Sequence, residues 1–90
     1  MKIVTLCGAG IGTSAILKLG AERALTSLDL DAEVVASDIA SITELAADAQ
    51  VILTSGELAG RIGPTFAEVV IIDNYLDQNE ITEKIERALG

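Results

Sequence analysis

Four short aliphatic runs punctuate the chain: Ile3 to Leu6, Ala32 to Ser37 (AEVVAS), Val51 to Thr54, and Val69 to Ile72. The first is continuously apolar and ends at a glycine cluster, the mark of a strand buried on both faces. From Thr13 the period changes: Leu17, Ala21, Ala24, Leu25 and Leu28 recur at three and four residues, with Lys18, Glu22 and Arg23 mainly elsewhere, which predicts a helix. Ser41-Ile42-Thr43-Glu44 has the spacing of a capping box and predicts a second helix, showing Ile42, Leu45, Ala46 and Ala49 inward. Asp77 with Glu80 three residues later caps a last helix lined by Ile81, Ile85, Ala88 and Leu89. Between the third and fourth runs lies a loop or short helix with the only proline, Pro64.

Strands alternating with helices imply parallel pairing through right-handed crossovers. The expected fold is one α/β domain over residues 1–90: an open, parallel four-stranded sheet in the order 2-1-3-4, with helices on both faces. In that order the chain reverses direction between strands 1 and 3, and ligands sit outside the carboxyl ends of the strands at that switch point. Residues 7–13 and residues 54–60 (TSGELAG) meet there.

Ninety residues allow one core. Half of them are hydrophobic but only Phe66 and Tyr75 are aromatic, so that core is aliphatic. The net charge of −8 repels phosphate backbones and anionic membranes, which argues against nucleic-acid binding. No run approaches the roughly 18 apolar residues of a spanning helix, so no direct membrane insertion is expected. Residues 1–17 imitate a secretion signal only loosely, because Gly8, Gly10 and Gly12 interrupt the apolar stretch and Lys2 is a lone n-region charge. Cys7 has no partner for an internal disulfide, which fits a reducing, cytoplasmic setting. Neither a cofactor nor a metal is expected.

The candidate site is Cys7-Gly8-Ala9-Gly10-Ile11-Gly12-Thr13-Ser14. Glycines let successive N–H groups converge on a concave nest, and the following helix adds unsatisfied amides and the positive end of its dipole. Such a place accepts an anion. A phosphoryl dianion suits it, with the hydroxyls of Thr13 and Ser14 as further donors. The same field acts on the thiol: lowering a cysteine pKa from about 8.5 to below 7 takes roughly 2 kcal/mol. A partly buried helix terminus supplies up to about 2 kcal/mol, so a thiolate forms here without a histidine. Although the chain holds 14 acidic residues, none precedes Glu22. The bland alternative is a tight βα turn with Cys7 as a small buried hydrophobe. The glycine spacing is not G-x-G-x-x-G and no lysine follows Gly12, so dinucleotide and Walker-type loops match poorly.

These residues, in this element order, resemble the IIB component of the bacterial sugar phosphotransferase system (PTS), nearest to the ascorbate and galactitol types; Val51 to Ile62 (VILTSGELAGRI) also resembles the third strand and following loop of ascorbate-type IIB proteins. The resemblance implies a Rossmann-like fold similar to low-molecular-weight tyrosine phosphatases. It further implies a phosphocarrier in which Cys7 accepts a phosphoryl group from a phosphohistidine on a IIA partner and donates it to a sugar bound in a IIC permease. By the same resemblance the amides of Gly8 to Ser14 cradle the phosphoryl oxygens; a monomer in isolation is expected. Low-molecular-weight phosphatases and related arsenate reductases share the layout but place an arginine six positions beyond the cysteine. Here that position is Thr13, which favours a carrier. A regulatory phosphate-binding module is a further alternative. The chain begins just before the first strand and ends with the last helix, so a free-standing protein is expected. Thr54, Ser55, Glu57 and Arg61 are secondary candidates near the site. Asp38 and Asp73 are expected to cap or turn, Asp73 acting on Cys7 only if it approaches the sulfur, and Lys18 to face solvent.

Overall fold

A computed structural model of the chain describes residues 1–6 and 11–89, the side chains of residues 11–14 excepted. The described elements run β1 (Lys2–Leu6), α1 (Ile11–Ser27), β2 (Glu33–Ser37), α2 (Ile42–Leu45), β3 (Val51–Thr54), α3 (Gly56–Ala59), β4 (Glu68–Ile71) and α4 (Gln78–Leu89). The sheet has the expected order, β2-β1-β3-β4, and every pairing is parallel. β1 is central, with Thr5 opposite Ala36 on one side and Leu53 on the other.

Strand alternation splits the aliphatic residues into two layers. On one face Ile3, Val51 and Leu53 pack with Leu17, Ala21, Ala24 and Leu25 of α1 and with Ile81 and Ile85 of α4. On the other, Val4, Leu6 and Ile52 pack with Ile42, Ala46, Leu58 and Ile62. Helices therefore cover both faces, unequally: 17 and 12 residues on the first, single turns of 4 and 4 on the second. Ile3 to Leu6 is buried throughout, as its continuous apolar character requires, whereas the edge strand β4 keeps Val69 and Val70 half-buried and Ile71 exposed.

Local boundaries differ from the expected ones where tertiary contacts decide them. α1 begins at Ile11 rather than Thr13, and β4 at Glu68 rather than Val69. Ile72 closes the ladder by donating to the Thr54 carbonyl at 2.8 Å. The second helix is one turn long, and its capping box does not form. Ser41 has helical backbone angles (φ −101°, ψ −3°) and caps nothing with its side chain. A cap must instead be extended for its oxygen to reach the N2 or N3 amide. The Ser41 amide donates to Asp38 Oδ1 at 2.8 Å. Ile42, Ala46 and Ala49 are nevertheless buried and Leu45 half-buried. Beyond the turn the chain is drawn into the sheet by Lys2, whose Nζ meets Asp48 at 2.7 Å and whose amide donates to Gln50 Oε1 at 2.6 Å.

α1 and α4 meet at Gly20. A Cβ there would lie 2.8 Å from Ile81 Cδ1, and Gln78 Nε2 donates to the Gly20 carbonyl at 2.9 Å. The absent side chain sets the helix spacing. Gly20→Ala is expected to change stability by less than about 1 kcal/mol, since the helix gain of about 1 kcal/mol offsets a shift of the Ile81 tip. Gly20→Val, which must displace α4, is expected to lose roughly 1–3 kcal/mol. Urea unfolding of the pair checks this; equal midpoints for Val and wild type would show that the close approach is not needed.

Candidate functional site

The carboxyl ends of the strands form a level rim. Leu6 lies opposite Ser37, Thr5 opposite Leu53, and Thr54 opposite Ile71. β1 sits between β2 and β3, so the chain's reversal of direction falls at the expected place. Cys7, Gly8, Ala9 and Gly10 lie outside the described residues. Ile11, Gly12, Thr13 and Ser14 form the first turn of α1, so Ile11 and Gly12, expected in the loop before the helix, are already helical. Amides of a first helical turn have no carbonyl partner within the helix, and they open toward its N-terminal side with the positive dipole end. That turn carries no acidic residue.

The second rim segment is α3 and its cap. Ser55 is extended (φ −84°, ψ 161°), and its hydroxyl accepts the Leu58 amide at 3.3 Å. Its role is thus a helix cap. Glu57 and Arg61 are exposed. Thr54 is different: the residue is fully buried and its hydroxyl has no hydrogen-bond partner among the described residues. Thr5 on β1 is the same. Thr5 lies outside the cysteine motif, and its signal in the sequence is a hydroxyl inside an otherwise aliphatic run.

Asp38 turns the chain into α2 as expected, through its contact to Ser41. Lys18 is half-buried rather than fully solvent-facing. At the end of β4, Asp73 is exposed and its Oδ2 lies 3.7 Å from Lys84 Nζ. The organising group of this corner is Glu80, whose carboxylate accepts the amides of Asp73 (2.7 Å) and Asn74 (2.9 Å) and the Lys84 ammonium (2.6 Å). Lys84 also donates to the Ile71 carbonyl at 2.6 Å. Asp77 Oδ1 accepts the Glu80 amide at 3.2 Å and caps α4. The hydrogen bond from Lys84, followed by the two backbone amides, holds the Glu80 carboxyl below its usual range, and Glu80 in turn raises Lys84. Away from the rim, a groove of about 240 Å³ lies between α2 and the segment before β4, with Ile42, Ala46, Ile62 and Pro64 in its wall and the fully exposed ring of Phe66 at its margin. No helix among the described residues is long and apolar enough to cross a membrane.

The chain is similar to a known family and to individual known proteins. The family model described as "PTS system, Lactose/Cellobiose specific IIB subunit" matches residues 2–87. An "Ascorbate-specific PTS system EIIB component" of Mycoplasma pneumoniae is 29% identical over 90 residues, which is 99% of this chain and 95% of that protein. The solution structure of the uncharacterized protein lmo0427 superposes with a TM-score of 0.49 at 10% identity, covering 98% of this chain and 90% of that one.

The Glu80 corner gives a pH prediction. A carboxyl whose folded pKa is depressed stabilises the fold above its unfolded pKa, and the contribution is lost as pH falls through the folded value. Glu80→Gln is therefore expected to lower stability at pH 7 by roughly 1–2 kcal/mol. The deficit should shrink below about pH 4. Thermal melts of both proteins from pH 7 to pH 3 check this; a deficit constant across that range would assign the loss to packing.

Proposed function

This chain belongs to the PTS family of IIB subunits, and from that premise we propose that it carries phosphoryl groups on Cys7. The observation that supports the reading is the place of the chain's only cysteine in the sequence: it follows β1, the central strand at whose carboxyl end the doubly wound sheet has its switch point, comes four residues before an acid-free helix start, and falls inside the span that the family model matches.

The Cys7 thiolate attacks the phosphorus of a phosphohistidine on a IIA partner. An S–P bond forms, the N–P bond breaks, and the imidazole leaves with a proton from solvent. In the second step a hydroxyl of the sugar held by a IIC permease attacks the same phosphorus; the O–P bond forms, the S–P bond breaks, and the hydroxyl proton passes to a base or to water. Cys7 returns as thiolate. The amides of Gly8 to Ser14, with the hydroxyls of Thr13 and Ser14, hold the three phosphoryl oxygens through both transfers. Oriented dipoles of this kind stabilise the spread charge of the transition state without reorganising. Thr13 stands where a phosphatase of similar layout has its arginine, so water gains no comparable clamp and the phosphocysteine persists.

Ascorbate is the favoured substrate, since the curated relative bears that name, with a galactitol-type system next. The family description instead names lactose and cellobiose. In such systems the permease selects the sugar, so this chain's chemistry is the same in each. The protein acts in the cytoplasm, as a single domain and a monomer between its two partners.

Incubation with phosphorylated IIA should add one phosphoryl group, detectable by mass as a thiophosphate ester, and Cys7→Ser should abolish it with the fold intact. Cys7 should titrate below the free-thiol value of about 8.5. Unaltered labelling of Cys7→Ser would remove the mechanism, a raised thiol pKa would support a buried hydrophobe, and rapid hydrolysis of p-nitrophenyl phosphate would move the protein to the phosphatases.

A further inference from the structure

β4 is an edge strand: among the described residues it pairs with β3 alone. In a parallel pair, alternate residues of a strand turn both backbone groups to the neighbour, and the residues between them turn theirs away. The Glu68 amide donates to the Gln50 carbonyl at 2.9 Å and the Ile72 amide to the Thr54 carbonyl at 2.8 Å, so the even positions face β3. Val69 and Ile71 therefore turn amide and carbonyl to the open side, and the Asp73 amide follows them. An open edge is a template for a further strand, and native sheets cover or charge it. This one is bordered by apolar side chains: Val69 is half-buried, Ile71 is 41% exposed, and the ring of Phe66 just before the strand is fully exposed. Two side chains of α4 reach the same edge. Lys84 Nζ donates to the outward carbonyl of Ile71 at 2.6 Å, and Glu80 Oε2 accepts the Asp73 amide at 2.7 Å. The two are joined to each other at 2.6 Å.

We infer that Glu80 and Lys84 close the β4 edge: by holding the Ile71 carbonyl and the Asp73 amide, they exclude a second copy of this chain that would otherwise extend the sheet through β4. The inference is independent of the phosphocarrier reading, since Cys7 has no part in it. The excluded occupant follows from the register. An antiparallel two-fold pairing that sets Val69 opposite Ile71 of a second copy makes a pair in which each residue exchanges both outward groups with the other. Symmetry repeats the pair, and each repeat needs an Ile71 carbonyl. Lys84 already holds that carbonyl. To free it, the ammonium must also leave the Glu80 carboxylate and the Asp73 carboxylate 3.7 Å away. A strand added here would meet a charge held on three acceptors, and an exposed isoleucine alone does not displace it.

The test is sedimentation equilibrium of the full chain as wild type, Lys84→Arg, Lys84→Met and Lys84→Met with Val69→Pro. Methionine keeps the length and helix preference of lysine but loses the ammonium. Proline at Val69 removes an outward amide without touching the β3 ladder, as an edge strand allows. Lys84→Met is expected to self-associate at least about tenfold more tightly than wild type, because two symmetric carbonyls become available. Lys84→Arg should behave as wild type, and Val69→Pro should return Lys84→Met to the wild-type level. The sign is informative: the change removes a positive charge from a chain of net charge −8, so repulsion alone would weaken association. Glu80→Gln, which keeps an acceptor for Asp73 but loosens Lys84, should fall between, and with Val69→Pro it provides the same comparison if Lys84→Met does not fold. Association of Lys84→Met no tighter than wild type would overturn the inference. So would association that Val69→Pro leaves intact, which places the contact on β2 or at Phe66, and so would a wild-type dimer that Val69→Pro abolishes, which shows the edge to be open already.

Discussion

β1 pairs in parallel with a strand on each side, and everything else in the molecule is arranged around that double pairing. A strand so placed has no edge and no wet face, so Ile3, Val4, Thr5 and Leu6 are all inside. Both layers of helix are then obligatory. The chain leaves β1 in one direction to reach β2 and comes back past it to form β3 and β4. The carboxyl end of β1 therefore lies where two crossovers diverge, and no helix can close over it. The opening is a by-product of topology, and in the sequence the chain's only cysteine is the next residue after β1.

The two faces serve different ends. α1 and α4 form a close-packed layer, pressed together at Gly20, and fix where the α1 N-terminus points. α3 is a single turn capped by Ser55, α2 is a single turn without a side-chain cap, and the chain that follows α2 is tied to β1 by Lys2 contacts to Asp48 and Gln50. The stiff layer thus belongs to the helix that begins at the candidate site. The Glu80 corner ties the end of β4 to α4 on the same face, through backbone amides and an ammonium beside the apolar cluster that Ile72 shares with Ile81 and Ile85. The first turn of α1 carries no carboxylate, so no acidic side chain of that turn opposes the positive end of the helix dipole.

Much of this was legible in the residues. Strand order followed from strands alternating with helices, and the inward faces followed from periodicity even where the helix did not: Ile42, Ala46 and Ala49 are buried although α2 stops at Leu45. Periodicity reports which side of the chain meets the core, and that requirement survives a change from helix to turn. The capping box failed for a different reason. Ser41 has the right neighbours, but a contact from Asp38 holds its backbone helical, and a cap depends on backbone angles that no four-residue pattern specifies.

By itself, the order of residues determined the sheet, its switch point, and the presence there of one cysteine among glycines with no acid nearby, because each depends on local period or on the absence of a residue type. Tertiary structure alone decided that α1 starts at Ile11, that Gly20 is a contact between helices, and that the hydroxyls of Thr5 and Thr54 are sealed inside without a described partner. Those facts depend on which atoms of distant segments arrive at the same place. Register between strands and the spacing of packed helices set that, and neither is written in any short run of the chain.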